Sequence, residues 1–292
     1  MGYSTSGLSE YVQERRDEIA RKAVLGAKTI DLVSWMVDVK TKAQMNTIET
    51  DVILQDGNAC GFSPQGDTRI SKRDIETKLV KVNLEYCSKD LLNAYTQYEV
   101  RIAADAEALP FEGYIMEEIA EKLSAKVEEM FWKGDNGLGI NGILKEYENA
   151  GQSFVNTQGM DAYHSIMEVY KNIPLAVLDK AVIFVGKDLY REFIQNMVEK
   201  NFYHYNAGDA TDEFVLPATT TKVIAVNGLN GTNAIVAAAT DNLVYATDIS
   251  NADEIVDVWY SKDDRKNKIA IEFNMGANFR FPDEIKIGKP TA

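Results

Sequence analysis

The chain has 292 residues, of which 31 are Lys or Arg, 45 are Asp or Glu and 2 are His, so its formal net charge is −14 at pH 7. Hydrophobic residues make up 45% of the chain and charged residues 26%, values close to globular averages that argue against intrinsic disorder, a collagen-like repeat or a disulfide scaffold. The negative excess argues against a protein that grips nucleic acid by surface charge, because neutralising phosphates requires clustered Lys and Arg. We expect a folded, soluble, acidic protein with one large domain or two medium ones.

The N-terminal residues, the apolar segments and the cysteines bear on where in the cell the protein is located. Met1 to Ser6 contain no apolar run of signal-peptide length, and no later window approaches the roughly 18 apolar residues of a membrane span. We therefore expect no membrane contact and a protein that stays in the cytoplasm where it is made. Cys60 and Cys87 are too few and too far apart for a zinc ribbon or a redox pair, which predicts two free thiols.

The first third of the chain predicts an arm and a projecting hairpin. Residues 8 to 28 have the spacing of a helix of mixed charge with a thin apolar stripe, and a short apolar element follows at Ile30 to Val39. Ile48 to Gln55 and the alternating stretch Val80 to Tyr86 are predicted strands that flank a turn-rich segment at 56 to 67. Such a hairpin has few apolar residues at its tip, so it should project and rest on another surface.

Residues 111 to 133 change to a helical period. Apolar residues recur at every fourth position: Ile115, Ile119, Leu123, Val127 and Phe131. This spacing predicts one amphipathic helix roughly 30 to 35 Å long, which ends in the turn residues Gly134 to Gly137. The carboxylates of the helix are predicted to form its solvated face: Glu117, Glu118, Glu121, Glu128 and Glu129.

The rest of the chain predicts a compact α/β unit followed by a second hairpin. Helical spacing marks residues 160–172 and 188–200, and short strands are predicted at 181–185, 222–226, 234–239 and 242–247. Strict alternation then predicts a β-hairpin with strands at 254–260 and 268–281.

The motifs that could carry chemistry are weak. Gly137, Gly139 and Gly142 match the G-x-G-x-x-G dinucleotide fingerprint, but a helix precedes them where the fingerprint needs a strand, so we interpret them as a glycine-rich turn. His164 and His204 have no second His or Cys at ligand spacing, which disfavours a metal site. We therefore expect no catalytic, cofactor-binding or metal-binding residue.

The order of the elements resembles the major capsid proteins of tailed bacteriophages, whose Hong-Kong-ninety-seven-type fold is shared with encapsulins. Phe131 to Leu144 looks like the family's segment in which the spine helix ends in a glycine loop. Val182 to Tyr190 resembles the strand-to-helix step of its axial domain, and Asp257 to Ser261 with Phe279 to Asp283 resembles its last peripheral strands. The likeness covers about residues 48 to 288 and rests on the order and spacing of these stretches.

The resemblance implies an α+β phage major capsid fold with four parts. They are an N-terminal arm (1–47), an extension-loop β-hairpin lying across a neighbouring subunit (48–88), a peripheral domain (89–151 and 248–292, with the spine helix near 111–133) and an axial domain (152–247). The arm and the hairpin, each short of apolar surface of its own, would bury much of their surface against neighbouring subunits. The alternative is that the arm and the hairpin are mobile extensions of a monomeric protein.

As a function, the resemblance implies a structural, non-enzymatic protein of the virion. It would self-assemble through pentamers and hexamers into an icosahedral head shell around double-stranded DNA, in the cytoplasm of the host bacterium. Its other partners would be a separate scaffolding protein, a portal and decoration proteins, with no sequence-specific contact to the DNA. Some family members join subunits by a Lys–Asn isopeptide bond, for which Lys72 and Asn274 are the candidate partners here.

Two alternatives remain open from the sequence. One is an encapsulin-type nanocompartment, which has the same fold and encloses a protein cargo. The other is an unrelated cytoplasmic α/β enzyme whose triad is assembled in space and leaves no sequence signature. Shell formation separates the first two classes from the third, and the contents of the shell separate a phage capsid from an encapsulin.

Overall fold

The computed structural model describes residues 7–55, 65–87, 90, 111–200, 213–217, 219–248 and 256–289. Its helices are α1 (Gly7–Glu14), α2 (Arg16–Leu25), α3 (Lys28–Leu32), α4 (Phe111–Lys133), α5 (Ile143–Asn149), α6 (Ala162–Lys171) and α7 (Lys187–Glu199). Its strands are β1 (Ser34–Met36), β2 (Lys42–Thr50), β3 (Thr68–Glu76), β4 (Lys78–Cys87), β5 (Gly134–Asp135), β6 (Ile140–Asn141), β7 (Val155–Asn156), β8 (Ala181–Gly186), β9 (Glu213–Val215), β10 (Lys222–Val226), β11 (Ile235–Ala239), β12 (Leu243–Thr247), β13 (Val256–Ser261), β14 (Lys266–Phe279) and β15 (Lys286–Lys289).

The helix predicted over residues 8 to 28 is two helices, α1 and α2. They are separated at Arg15, whose φ of −124° and ψ of 23° lie outside the α-helical region. The break lets α1 contact β13 and α4 while α2 packs along α4. Helical period does not reveal it, because Val12 of α1 and Ile19 of α2 are both buried in the same core.

The long helix α4 spans Phe111–Lys133, which confirms the prediction. Its stripe residues Ile119, Leu123, Val127 and Phe131 are buried in the larger hydrophobic core, together with apolar residues of α2 and of the neighbouring sheets. Trp132 is fully buried beside them and packs edge to face against Phe131, with ring centroids 5.1 Å apart. The helix therefore forms the spine on which the arm and both sheets rest.

Two large sheets flank this spine. In the five-stranded sheet, β4 pairs with one edge of β14, β13 and β12 share the other edge, and β1 adds to β12 in parallel. The six-stranded sheet has the order β7-β15-β11-β8-β10-β9. One of its faces, including Ile183 and Val223, packs under α6 and α7, and the other face, including Phe184 and Ile224, packs in the core around α4.

Two strands in the second half of the chain pair with strands outside the predicted segment in which they fall. β12 falls in the predicted axial segment 152–247, but it pairs with β14 of the five-stranded sheet. β15 falls in the predicted peripheral segment 248–292, but it pairs with β11 and β7 of the six-stranded sheet. Hydrophobic alternation identifies a strand but not its partner, so the sequence could not place these two strands.

The extended hairpin exists with strands that differ from the prediction. β2 pairs with β3, from Lys42 opposite Glu76 to Thr50 opposite Thr68, whereas β4 pairs with β14. β3 has charged residues on both faces and shows little apolar alternation, so the sequence pattern did not mark it as a strand. The predicted second hairpin is confirmed as β13 and β14.

Candidate assembly surfaces

The outer half of the β2–β3 hairpin exposes apolar side chains. Ile48 and Ile70 are directly opposite each other on the same face of the ribbon, and their exposures are 65% and 64%. Beyond the strands, Val52, Ile53 and Leu54 are also exposed, with Leu54 at 94%. A cluster of exposed apolar side chains is typical of an interaction surface.

The base of the same hairpin is firmly attached to the subunit. Met45 and Ile75 lie on its inner face and are buried against Val39, Val244 and Ala246. The hairpin therefore has a buried base and an exposed apolar end, which is the arrangement expected of a projection that carries its contact surface away from its own core.

Arg73 fixes the hairpin base to the five-stranded sheet. Its Nε donates a hydrogen bond to Asn278 Oδ1 at 2.9 Å, and its guanidinium lies over the ring of Phe279 at 4.1 Å from the centroid. A second nitrogen lies 3.7 Å from a Glu146 carboxylate oxygen of α5. Asn278 in turn donates to the carbonyl of Asp74 at 2.8 Å. Burial lowers the pKa of Arg73 while the charge of Glu146 opposes that change.

The arm helices pack on their own subunit. Ile19, Ala20, Ala23 and Val24 of α2 are buried in the core around α4, and Lys22 forms an ion pair with Glu117 of α4. The small side chains of Ala20 and Ala23 allow the two helices to approach closely. The apolar stripe of α2 is therefore covered within the subunit, and the expectation that the arm is buried against neighbours stays a prediction for its exposed face.

The predicted solvated carboxylate face of α4 holds for part of the set only. Glu118 and Glu121 are exposed, and hydrogen bonds from Lys126 and Lys133 lower the pKa of Glu129. Glu128, in contrast, is only 2% exposed, and its Oε1 accepts hydrogen bonds from Thr29 of α3. The sequence held a weak signal for this burial, because Glu128 follows the buried small residues Ala120 and Ser124 at intervals of four. Sequence reasoning missed it.

The glycine-rich segment is a turn, as predicted. Gly134 and Gly139 have φ of +76° and +69°, and β5 pairs with β6 across the turn. Asp135 Oδ1 accepts hydrogen bonds from the backbone N–H groups of Gly137 at 2.7 Å and Leu138 at 3.3 Å. Because these N–H groups are already satisfied within the turn, they do not form a phosphate cradle.

His164 lies in the first turn of α6, beside the residue that caps the helix. Asp161 caps the N-terminus of α6 and lies 2.8 Å from both His164 Nδ1 and Lys200 Nζ. Burial raises the pKa of Asp161, but hydrogen bonds from Lys200 and His164 outweigh it and lower the pKa to about 2. Cys87 is a half-buried free thiol, whereas His204 and Cys60 lie outside the described residues.

The remaining sequence candidates are also located. Lys72 stands opposite Asn46 in the β2–β3 ribbon, whereas Asn274 lies in β14 and donates to an Asp248 oxygen at 2.5 Å, so the two are on different sheets. Among the described residues, no group of three or more His, Cys, Asp or Glu could hold a metal ion. Within the same part of the chain, every helix is too short or too polar to cross a membrane.

Comparison with known proteins gives structural matches. No protein-family model and no curated protein sequence matches the chain. A chain of the satellite phage P4 procapsid including size determination (Sid) protein matches with a TM-score of 0.62 at 10% identity, over 99% of this chain and 91% of that chain. A chain of Gordonia phage Cozz matches with a TM-score of 0.61 at 10% identity, over 91% and 87% respectively.

An encapsulin also matches. A chain of the holo-SrpI encapsulin complex from Synechococcus elongatus has a TM-score of 0.53 at 10% identity, over 90% of this chain and 86% of that chain. The matches therefore extend over nine-tenths or more of this chain. The chain has the α+β fold of the Hong-Kong-ninety-seven-type major capsid proteins.

Proposed function

We propose that the chain is the structural major capsid protein of a tailed phage, which self-assembles through pentamers and hexamers into an icosahedral shell around double-stranded DNA. The observation that carries the proposal is the near-complete match to a procapsid chain, over 99% of this chain and 91% of that one. In this role the protein is not an enzyme, and its working parts are its contact surfaces.

The exposed end of the β2–β3 hairpin supports assembly. Covering an exposed Ile or Leu side chain completely contributes about 1.5–3 kcal/mol before the costs of association are subtracted. The apolar side chains at the end of one hairpin could thus contribute on the order of 5–10 kcal/mol of gross burial to a contact with a neighbouring subunit. A shell multiplies this contact over all of its subunits, so each contact can be weak while the particle is stable.

The sheet topology refines the proposed domains. The axial domain would comprise residues 152–247 without β12 and with β15 added, and it would pack about the five-fold and six-fold centres. The peripheral domain would hold α4 and the five-stranded sheet, including β12. The β2–β3 hairpin would be the extension loop, and the residues before β2 would be the N-terminal arm, whose strand β1 adds to the peripheral sheet.

The charge of the chain agrees with a wall that encloses DNA. At −14 per subunit, the shell repels phosphates overall, so DNA can be held by enclosure and released without breaking tight contacts. Assembly would take place in the cytoplasm of the host with a separate scaffolding protein and a portal, with decoration proteins as further partners of the finished virion.

An encapsulin-type nanocompartment is the second candidate, favoured by the match to the holo-SrpI encapsulin complex. The two candidates share their fold and their assembly surfaces, and they differ in what the shell contains. Nuclease treatment followed by extraction of purified particles distinguishes them. Protected genome-length DNA supports the phage capsid, whereas an enzyme cargo without DNA supports the encapsulin.

The proposal is tested by shortening the hairpin. Asp51 N–H donates to the carbonyl of Asp67 at 2.9 Å, so this pair closes a ladder rung on which a two-residue Asn-Gly turn can be built in place of residues 52–66. We expect a subunit with unchanged circular dichroism that no longer forms closed shells. A shortened protein that still assembles into normal shells would contradict the proposed role of the hairpin.

A further inference from the structure

Glu128 of α4 accepts hydrogen bonds from two other segments, which are far from it and from each other in the sequence. Its Oε1 accepts hydrogen bonds from the backbone N–H of Thr29 at 3.1 Å and from the Thr29 hydroxyl at 2.6 Å. Its Oε2 accepts from the backbone N–H of Asn227 at 3.1 Å. Thr29 belongs to the arm, Glu128 to α4, and Asn227 directly follows β10 of the six-stranded sheet.

On the arm side, the backbone N–H and the hydroxyl of Thr29 both donate hydrogen bonds to Glu128. The residue before α3, Ala27, has no side-chain oxygen to cap the helix, and the Glu128 carboxylate accepts the Thr29 N–H in its place. The Thr29 hydroxyl donates to Glu128 and accepts from Trp132 Nε1 at 3.1 Å, and Thr29 is completely buried. The arm is therefore joined to α4 through polar groups that water does not reach.

On the sheet side, the loop after β10 lies tightly on α4. A Cβ added at Gly228 would come within 2.4 Å of the Glu128 carbonyl oxygen and 2.5 Å of a Trp132 ring carbon. Asn230 accepts from Lys133 Nζ at 2.8 Å through its carbonyl, and from the backbone N–H of Lys187 at 2.7 Å through its side chain. The loop thus connects the end of α4 with the start of α7.

We propose that Glu128 is a positioning residue that couples the N-terminal arm to the six-stranded sheet. A buried carboxylate is tolerated only while its hydrogen bonds are made, because an unpaired buried charge is strongly unfavourable. Displacing the arm removes the donors to Oε1 and so weakens the contact of Glu128 with Asn227. Displacing the loop removes the donor to Oε2 and so weakens the contact of Glu128 with Thr29. Movement at either end is therefore transmitted to the other, and this coupling does not depend on shell formation.

Hydrogen–deuterium exchange of the complete unassembled subunit tests the coupling. Thr29→Val keeps the shape of the side chain and removes its hydroxyl. We expect about tenfold faster exchange in residues 16–32 and at least about threefold faster exchange in residues 222–231. Thr29→Ser retains the hydroxyl and should restore wild-type exchange in 222–231. Glu118→Gln, which removes an exposed carboxylate from another face of the same helix, should change neither segment.

The reciprocal perturbation comes from the loop. Gly228→Ala forces the loop away from α4, and coupling requires that it also accelerate exchange in residues 16–32. Faster exchange confined to the mutated segment in either Thr29→Val or Gly228→Ala would overturn the proposal and leave Glu128 with local roles only. If one variant fails to fold, the other still decides, because each reports on the segment that it does not alter.

Discussion

Ile48 and Ile70 stand opposite each other on the outer face of the β2–β3 hairpin, with exposures of 65% and 64%. An exposed cross-strand pair of this kind adds little to the stability of an isolated subunit, because water still covers most of it. The proposed assembly gives this pair a use in a contact that the isolated subunit does not make.

Replacing both residues by Thr tests this use. The double variant Ile48→Thr with Ile70→Thr keeps β propensity, so we expect the unfolding free energy of the subunit to stay within about 0.5 kcal/mol of wild type. Sedimentation should show that shells no longer form. Ile75→Thr is the matched control on the inner face, where the completely buried side chain should cost about 2–3 kcal/mol. Normal shells from the double variant would contradict the interpretation.

Arg73 should hold the hairpin base by its charge and not only by its bulk. Arg73→Met keeps the apolar stem but loses the hydrogen bond to Asn278 and the contact with Glu146, so we expect a loss of about 1.5–3 kcal/mol by chemical denaturation. Arg69→Met on the same strand removes an exposed guanidinium that is bonded to Asp67 and should cost under about 0.5 kcal/mol. Equal losses in the two variants would show that the Arg73 contacts contribute nothing particular.

The two neighbouring turn glycines should differ in their response to alanine. Gly139 has φ of +69° with open space around its Cα, so Gly139→Ala pays for backbone conformation alone, about 1–2 kcal/mol. Gly137 does not have a positive φ, and an added Cβ would meet only the Asp135 side chain at 3.2 Å. Gly137→Ala should therefore lower the unfolding free energy by less than about 0.5 kcal/mol. Thermal melting compares them. A calorimetric titration with ATP or NAD should give no binding heat for wild type or either variant, and measurable binding would revive the nucleotide interpretation.

Asp161 gives the α6–α7 pair a dependence on acid pH. Its pKa is lowered to about 2, below the ordinary value of 3.8, so its stabilising effect is complete above about pH 4 and is lost as the pH falls towards 2. Asp161→Asn retains an N-cap for α6 but loses the charge that faces Lys200 and His164. We expect the variant to be less stable than wild type at pH 6 by about 1 kcal/mol, after allowance for solvent screening.

Urea unfolding at a series of pH values measures this dependence. The stability difference between wild type and Asp161→Asn should shrink steadily between pH 4 and pH 2. A difference that stays constant through this range would show that the carboxylate charge is not what stabilises the α6–α7 contact.

Local periodicity predicted much of the fold. The fourfold spacing from Ile115 to Phe131 identified α4, and the alternation from Ile269 to Met275 identified the strand that organises the five-stranded sheet. These signals are strong because one face of each element is buried and the opposite face is more polar, so burial is visible in the order of residue types.

Strand partners and contacts between distant segments could not be predicted from the sequence. The charged strand β3 leaves little alternation to detect, and the partners of β12 and β15 lie 28 or more residues away along the chain. Glutamate is a residue type that usually lies on the surface, and Glu128 can be buried only because Thr29 and Asn227 approach it from elsewhere in the chain. The site was missed because its donors include two backbone N–H groups, which every residue except proline carries.

Electron cryomicroscopy of the purified protein, alone and with the proposed scaffolding protein, tests the central proposal most directly. We expect closed icosahedral shells in which the β2–β3 hairpin of each subunit lies on a neighbour that covers Ile48 and Ile70. A uniform population of monomers or dimers under every assembly condition, with scaffold included, would contradict it.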